Sequence, residues 1–221
     1  MIISHKHKFI FIKTRKTAGT SVEYNLAKYL GPNDIITPSI QADYLSQNFI
    51  KDTKISFFFS KLKLSKLSNL FKDRFTDHIH AIQIKKKIDK KLFNNYFKFC
   101  VEREPVDKTI SYYFMRKNSK NSNEKRKNMS WDDFVKKKRF PVDTNFYTDG
   151  KKLLVDKIIK FEDLDIDLPI LLNNLGVKNF KIEKSVNNQY RGENPLITYE
   201  HKKIIYNQFK SSLRFVDYKF N

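Results

Sequence analysis

The first run of four apolar residues in the chain, Phe9-Ile10-Phe11-Ile12, lies between Lys8 and Lys13. Apolar residues in succession, without alternation, predict a strand covered on both faces, as in a parallel sheet, here over 7–13. A polar loop follows. From Thr20 the spacing Val22, Leu26, Leu30 predicts a helix capped by Thr20 or Ser21 and stopped at Gly31-Pro32. The same succession returns further on. Ile84, Ile88 and Leu92 predict a helix over 81–93, Phe97, Phe99 and Val101 a strand, and Pro105 the first turn of a helix running through Val106, Ile110 and Phe114.

Asn118 to Asn128 is polar and reads as a surface loop. Ser130-Trp131-Asp132-Asp133 offers a helix start, and Leu153 to Phe161 is rich in strand formers. Pro169 to Leu175 reads as a short helix closed by Gly176, and Thr198 to Leu213 as a final helix. Alternating β and α elements predict an α/β fold, a mostly parallel central sheet flanked by helices, in a single domain over 1–221. Segments 33–76 and 118–150 are expected to be acceptor-side insertions or loops. Within the first, Lys61 to Phe71 has the spacing of a basic amphipathic helix, which fits either an ordinary flank helix or a surface that meets a membrane or a polyanion.

Composition changes this picture in a few respects. The 20 Phe and 11 Tyr supply a large core and exclude disorder over most of the chain. Lys and Arg outnumber Asp and Glu by 44 to 24, a net charge of +20 that points to an anionic partner. Lysine far exceeds arginine and Asn, Ile and Phe are also abundant, a bias an AT-rich genome imposes whatever the function. Cys100 is the only cysteine, so no internal disulfide forms, and its place in the run 97–101 predicts a buried strand residue. No apolar run reaches membrane-spanning length, and a cytoplasmic protein is expected.

Two stretches carry candidate chemistry. Lys13-Thr14-Arg15-Lys16-Thr17-Ala18-Gly19-Thr20-Ser21 sets cations, hydroxyls and a glycine between a strand and a helix N-terminus. Free N–H groups and the positive helix end suit an anion there. The lysine precedes the glycine, so the stretch is not the nucleotide-kinase loop, which requires Gly-x-x-x-x-Gly-Lys-Ser/Thr. By itself the stretch also fits a capped turn without ligand. In Phe99 to Tyr113, Arg103 leaves a strand end and Ser111 lies two turns into the following helix, so both can reach one phosphate. Arg103 paired with Glu102 or Asp107 is the alternative.

Taken together, the two stretches resemble the sulfotransferase superfamily, in particular the carbohydrate branch that includes heparan sulfate 2-O-sulfotransferases and small bacterial relatives. The first resembles the 5′-phosphosulfate loop, usually Pro-Lys-Thr-(Ala/Gly)-(Gly/Ser)-Thr-Ser. The second resembles the 3′-phosphate segment, usually Val-Arg-Asp-Pro-x-(Asp/Glu)-Arg-x-x-Ser-x-Tyr. Arg15 stands where proline is usual, Glu104 where aspartate is and Lys108 where arginine is. The likeness extends through 96–99 and 155–164, and weakly through 184–191.

The resemblance implies a P-loop-like sulfotransferase fold and 3′-phosphoadenosine-5′-phosphosulfate (PAPS) as sulfuryl donor. It implies that Lys16 meets the phosphosulfate, that the loop residues Thr17, Ala18, Gly19, Thr20 and Ser21 cradle the 5′-phosphate with Arg15 adding a cation, and that Arg103 and Ser111 hold the 3′-phosphate, Arg191 supplementing them. Asp77-His78-Ile79-His80-Ala81 matches a His-x-x-Ala pattern of relatives. It points to His78 as general base, with His80 second and Glu23 a further candidate. The acceptor is expected to be a carbohydrate hydroxyl, and no Cys/His spacing suggests a metal. The alternative is a non-catalytic basic protein that binds nucleic acid or a sulfated polysaccharide, although no nucleic-acid reading motif is present.

Overall fold

The computed structural model describes residues 1–37, 75–119, 122–183 and 191–220. A five-stranded sheet runs in the order β3 (Ile35–Ile36), β1 (Ile2–Ser4), β2 (Phe9–Ile12), β4 (Phe97–Glu102), β7 (Lys157–Lys160). The strands β2, β4 and β7 are mutually parallel, while β1 is antiparallel to both β2 and β3. The expected mostly parallel sheet is therefore present, with an antiparallel hairpin at one side that periodicity did not reveal. A small ribbon pairs β5 (Thr148–Asp149) with β6 (Lys152–Leu153).

Alternation along the strands separates two cores. Phe9, Phe11, Phe99 and Val101 face α1 (Gly19–Leu26) and α8 (Leu164–Asn174), packing with Val22, Leu26, Leu164 and Leu168. On the other face Ile10, Ile12 and Cys100 meet Ile84 of α2 (Ala81–Lys87) and Phe93 of α3 (Lys90–Asn95), together with Phe146 and Tyr147 of α7 (Thr144–Tyr147). Both faces are buried, which is why the central strands read as unbroken apolar runs. A third cluster joins α4 (Pro105–Asn118), α6 (Trp131–Lys136) and α9 (Tyr199–Leu213) through Ile110, Tyr113, Trp131, Phe134, Ile205 and Phe209.

Several expectations need correction. The first helix starts at Gly19, with Ala18 in the left-handed conformation as its cap, rather than Thr20 or Ser21. The helix expected over 81–93 is two helices, because Asp89 caps a new one by accepting from Lys91 N at 2.7 Å and Leu92 N at 3.2 Å. The helix expected from Pro169 begins five residues earlier at Leu164 and carries the proline inside. Glu124–Lys127 form a short helix, α5, within the stretch read as loop. Ser130 caps α6 as its sequence suggests, accepting from Asp133 N at 3.1 Å. Segment 33–76 lies outside the described residues between 38 and 74, and with it Lys61 to Phe71. No helix among the described residues is long and apolar enough to cross a membrane.

Candidate active site

The register Ile12 opposite Cys100 places the carboxyl ends of β2 and β4 side by side, so the loops that follow them adjoin. Ligands of open α/β sheets bind at that edge. Thr14 seals the junction: its hydroxyl donates to the Val101 carbonyl and meets the Thr17 hydroxyl at 2.8 Å. Lys16 and Ala18 both take left-handed backbone angles, φ 61° and 57°. Non-glycine residues persist there only when their surroundings hold them. The loop turns sharply into α1, whose N-terminus no side chain caps. N–H groups at such an end have no intrahelical partner and favour an anion. Thr17 and Gly19 are buried beneath the turn, Ser21 is buried, and Thr20 is half-buried.

The second loop is held against the first. The Arg103 Nη1 group donates to the Lys16 carbonyl at 3.1 Å, its Nε donates to Asp107 at 2.6 Å, and its guanidinium lies 4.0 Å from the centre of the Phe161 ring. Arg191 also donates to Asp107, at 2.8 Å. Two guanidinium groups thus converge on one carboxylate, and Ser111 stands one turn further along α4 from Asp107, on the same helix face. Glu104 caps α4, accepting from Asp107 N at 2.7 Å. The pairing of Arg103 with Asp107 is as the sequence allowed, and it brings Arg191 to the same point.

His78 reaches the first loop from the other side of the sheet. Its Nδ1 lies 3.0 Å from the Lys13 carbonyl. A carbonyl only accepts, so Nδ1 carries the proton and Nε2 keeps the lone pair of a base. The ring packs on Phe146, with centroids 6.1 Å apart. Burial, the largest influence, pushes the His78 pKa below the ordinary histidine value, and the Lys13 charge adds to that. His80 precedes α2 and lies against the same Phe146 at 4.5 Å. Glu23 is buried and bound to Lys13 Nζ at 2.6 Å and to the Met1 amino group. A carboxylate so enclosed has no path to a substrate proton. Cys100 is buried in β4, as expected, and burial holds its thiol well above the ordinary value.

The structure adds Asp143, which sequence reasoning missed. Its side chain is fully buried, and its carboxylate accepts from Arg15 N and Arg15 Nε, each at 2.6 Å, while pairing with Lys108 at 3.0 Å. Lys108 in turn pairs with Glu102 at 2.7 Å. Burial alone would lower the Lys108 pKa, but Glu102 and Asp143 beside it raise it. No local signal marks Asp143, a lone carboxylate after the basic run 136–139. Among the described residues no group of His, Cys, Asp and Glu could hold a metal ion.

Two loops thus adjoin at the carboxyl ends of the parallel strands β2 and β4, with His78 beside the first of them. Residues 1–203 match the model of the sulfotransferase family. The chain belongs to that family, and its reaction class is sulfuryl transfer. It is 32% identical over 119 residues to an uncharacterized protein of Archaeoglobus fulgidus, a match covering 50% of this chain and 96% of that protein. No solved structure matches the chain.

Proposed function

We propose that the enzyme takes its sulfuryl group from PAPS and delivers it to a hydroxyl of a carbohydrate acceptor. One observation carries the donor assignment. Arg103 donates to the Lys16 carbonyl while sharing Asp107 with Arg191, so a 5′-side anion site and a cluster able to take a second phosphate form one surface. Two adjoining sites of this kind suit a nucleotide that carries one phosphate on its 5′ side and another at 3′. Lys16, the loop residues Thr17 to Ser21, Arg103, Ser111 and Arg191 are its proposed ligands. The carbohydrate acceptor rests on the likeness of the two motifs to the carbohydrate branch.

In the reaction the acceptor oxygen attacks sulfur as His78 Nε2 takes its proton. The new S–O bond forms while the bond between sulfur and the bridging oxygen breaks, and adenosine 3′,5′-bisphosphate leaves with the charge. Lys16 neutralises that charge as it develops, the kind of preorganised electrostatic aid worth about 10²–10³ in turnover. Burial and the Arg103 charge hold the Lys16 pKa below the ordinary lysine value. An incoming anion offsets both influences.

The test is calorimetry with adenosine 3′,5′-bisphosphate and no metal. Binding is expected, and failure at millimolar ligand or an absolute need for magnesium overturns the donor. The net charge of +20 favours a second reading, a non-catalytic polyanion binder. Duplex binding that persists at physiological salt supports that reading, whereas binding lost with salt reflects net charge alone.

A further inference from the structure

We propose that Asp143 is a positioning residue for sulfuryl transfer: through Arg15 it holds the Lys16 loop in shape, so Arg15 serves as an internal strut and not as a ligand of the donor. The inference rests on the reading above that Lys16 and His78 act on the transferring group. Arg15 is fixed at three points. Its backbone N and its Nε donate to the two Asp143 oxygens at 2.6 Å each, and its Nη2 donates to the Val142 carbonyl at 3.1 Å. The guanidinium also lies 5.4 Å from the Phe146 ring centre and 5.9 Å from that of Tyr112.

The residue thus anchored is followed immediately by Lys16 at φ 61°. That angle is unfavourable for a side chain larger than glycine and relaxes unless both ends of the peptide are held. Asp143 holds the preceding residue, and Arg103 holds the Lys16 carbonyl at 3.1 Å. The two clamps bracket the lysine proposed to meet the leaving group.

The charges lead to the same conclusion. Arg15, Lys108, Glu102 and Asp143 form two cations and two carboxylates linked in a chain by contacts of 2.6 to 3.0 Å. Arg15 therefore meets its countercharge inside the protein, on a carboxylate with no solvent exposure. A phosphate drawing it away would leave Asp143 one cation short in a buried site, which is strongly unfavourable. The segment that begins with Asp143 continues into α7, where Phe146 packs against His78 and His80. One short stretch thus supports the donor loop and the base.

The experiment compares wild type, Asp143→Asn, Arg15→Gln and the double variant by steady-state kcat and by calorimetric affinity for adenosine 3′,5′-bisphosphate. Each single variant is expected to lower kcat about 10–100-fold, as a small misplacement of a reacting group does, with nucleotide affinity nearly kept. The double variant should match a single one, because both changes break one linkage. Arg15 is half-exposed, so Arg15→Gln keeps the test available where Asp143→Asn fails to fold. An Arg15→Gln enzyme that loses nucleotide affinity in step with kcat makes Arg15 a ligand and overturns the proposal. So does one with wild-type kcat, and so do losses that multiply in the double variant. Wild-type enzyme that neither binds the nucleotide nor transfers sulfuryl overturns the donor reading instead.

Discussion

Replacing Gly19 with alanine tests how tightly the donor loop is packed. Gly19 opens α1 and is buried, and a Cβ built there stands 2.6 Å from Lys13 Cγ, 3.3 Å from Cε and 3.4 Å from Cδ. The aliphatic stem of Lys13 runs along the space a side chain would need. That stem has little freedom to retreat, since its Nζ is held by Glu23 at 2.6 Å and only 4% of the residue is exposed. Forcing one methyl into a filled site costs about 1–3 kcal/mol. Stiffening of the unfolded chain returns roughly 0.4–1 kcal/mol. At the middle of both ranges the net loss is about 1.3 kcal/mol, and with about 2–4 °C per kcal/mol for a chain of this size the Tm falls by roughly 3–5 °C. Turnover should fall as well, because the Lys13 carbonyl that orients His78 at 3.0 Å belongs to the displaced residue. Thermal unfolding followed by circular dichroism, with kcat measured well below the transition, reads both effects. An unchanged or higher Tm with full activity would refute the packing argument.

Two further substitutions probe the base and the second phosphate site. His78→Ala should reduce transfer by about 10²–10⁴-fold while nucleotide binding persists, and His80→Ala should cost far less. A protonated ring cannot take the acceptor proton, so kcat/KM rises with pH, its half-point below the ordinary 6.5 because burial depresses the His78 pKa. That limb should be absent in His78→Ala, and an inactive His80→Ala beside an active His78→Ala would move the base by two residues. Arg103→Ala should weaken adenosine 3′,5′-bisphosphate far more than adenosine 5′-phosphosulfate, with Arg191→Ala acting in the same direction. Equal losses for both ligands would show that neither residue reads the 3′-phosphate.

The two strand-loop-helix units were legible because their signals are local: four apolar residues in a row at Phe9–Ile12, and Pro105 in a first turn. β1 was not, since three residues at Ile2–Ser4 are too few to show a period. Ile84, Ile88 and Leu92 have a helical spacing, yet Asp89 bonds two N–H groups and starts a new helix. There a cap overrides periodicity. Pro169 stands inside α8 because a proline in that position deprives the helix of one backbone bond, while Leu164, Leu168 and Leu172 still bury a full stripe. Within the candidate site, Arg103, Ser111 and the Lys16 loop are expected from the resemblance of two local motifs, each contiguous in sequence. Asp143 is not, because its partners Arg15 and Lys108 lie 128 and 35 residues away in sequence and are joined only by the fold.

That distinction also changes how the positive charge of the two motifs is understood. Counted from sequence, Lys13, Arg15, Lys16, Arg103 and Lys108 are five cations around one presumed anion. In the structure Lys13 is neutralised by Glu23, Arg15 and Lys108 by Asp143 and Glu102, and Arg103 by Asp107. Among the described residues no carboxylate forms an ion pair with Lys16, whose pKa burial and Arg103 hold below the ordinary value. An ammonium that is half-buried, next to another cation and without a counterion gains more from an arriving anion than an exposed or already paired lysine does. On the proposed donor assignment, the attraction of the loop resides in Lys16, which pairs with no carboxylate among the described residues, while its paired neighbours fix the shape that presents it. The surplus of lysines elsewhere adds a diffuse field that salt screens, and adds nothing to the selectivity of the site.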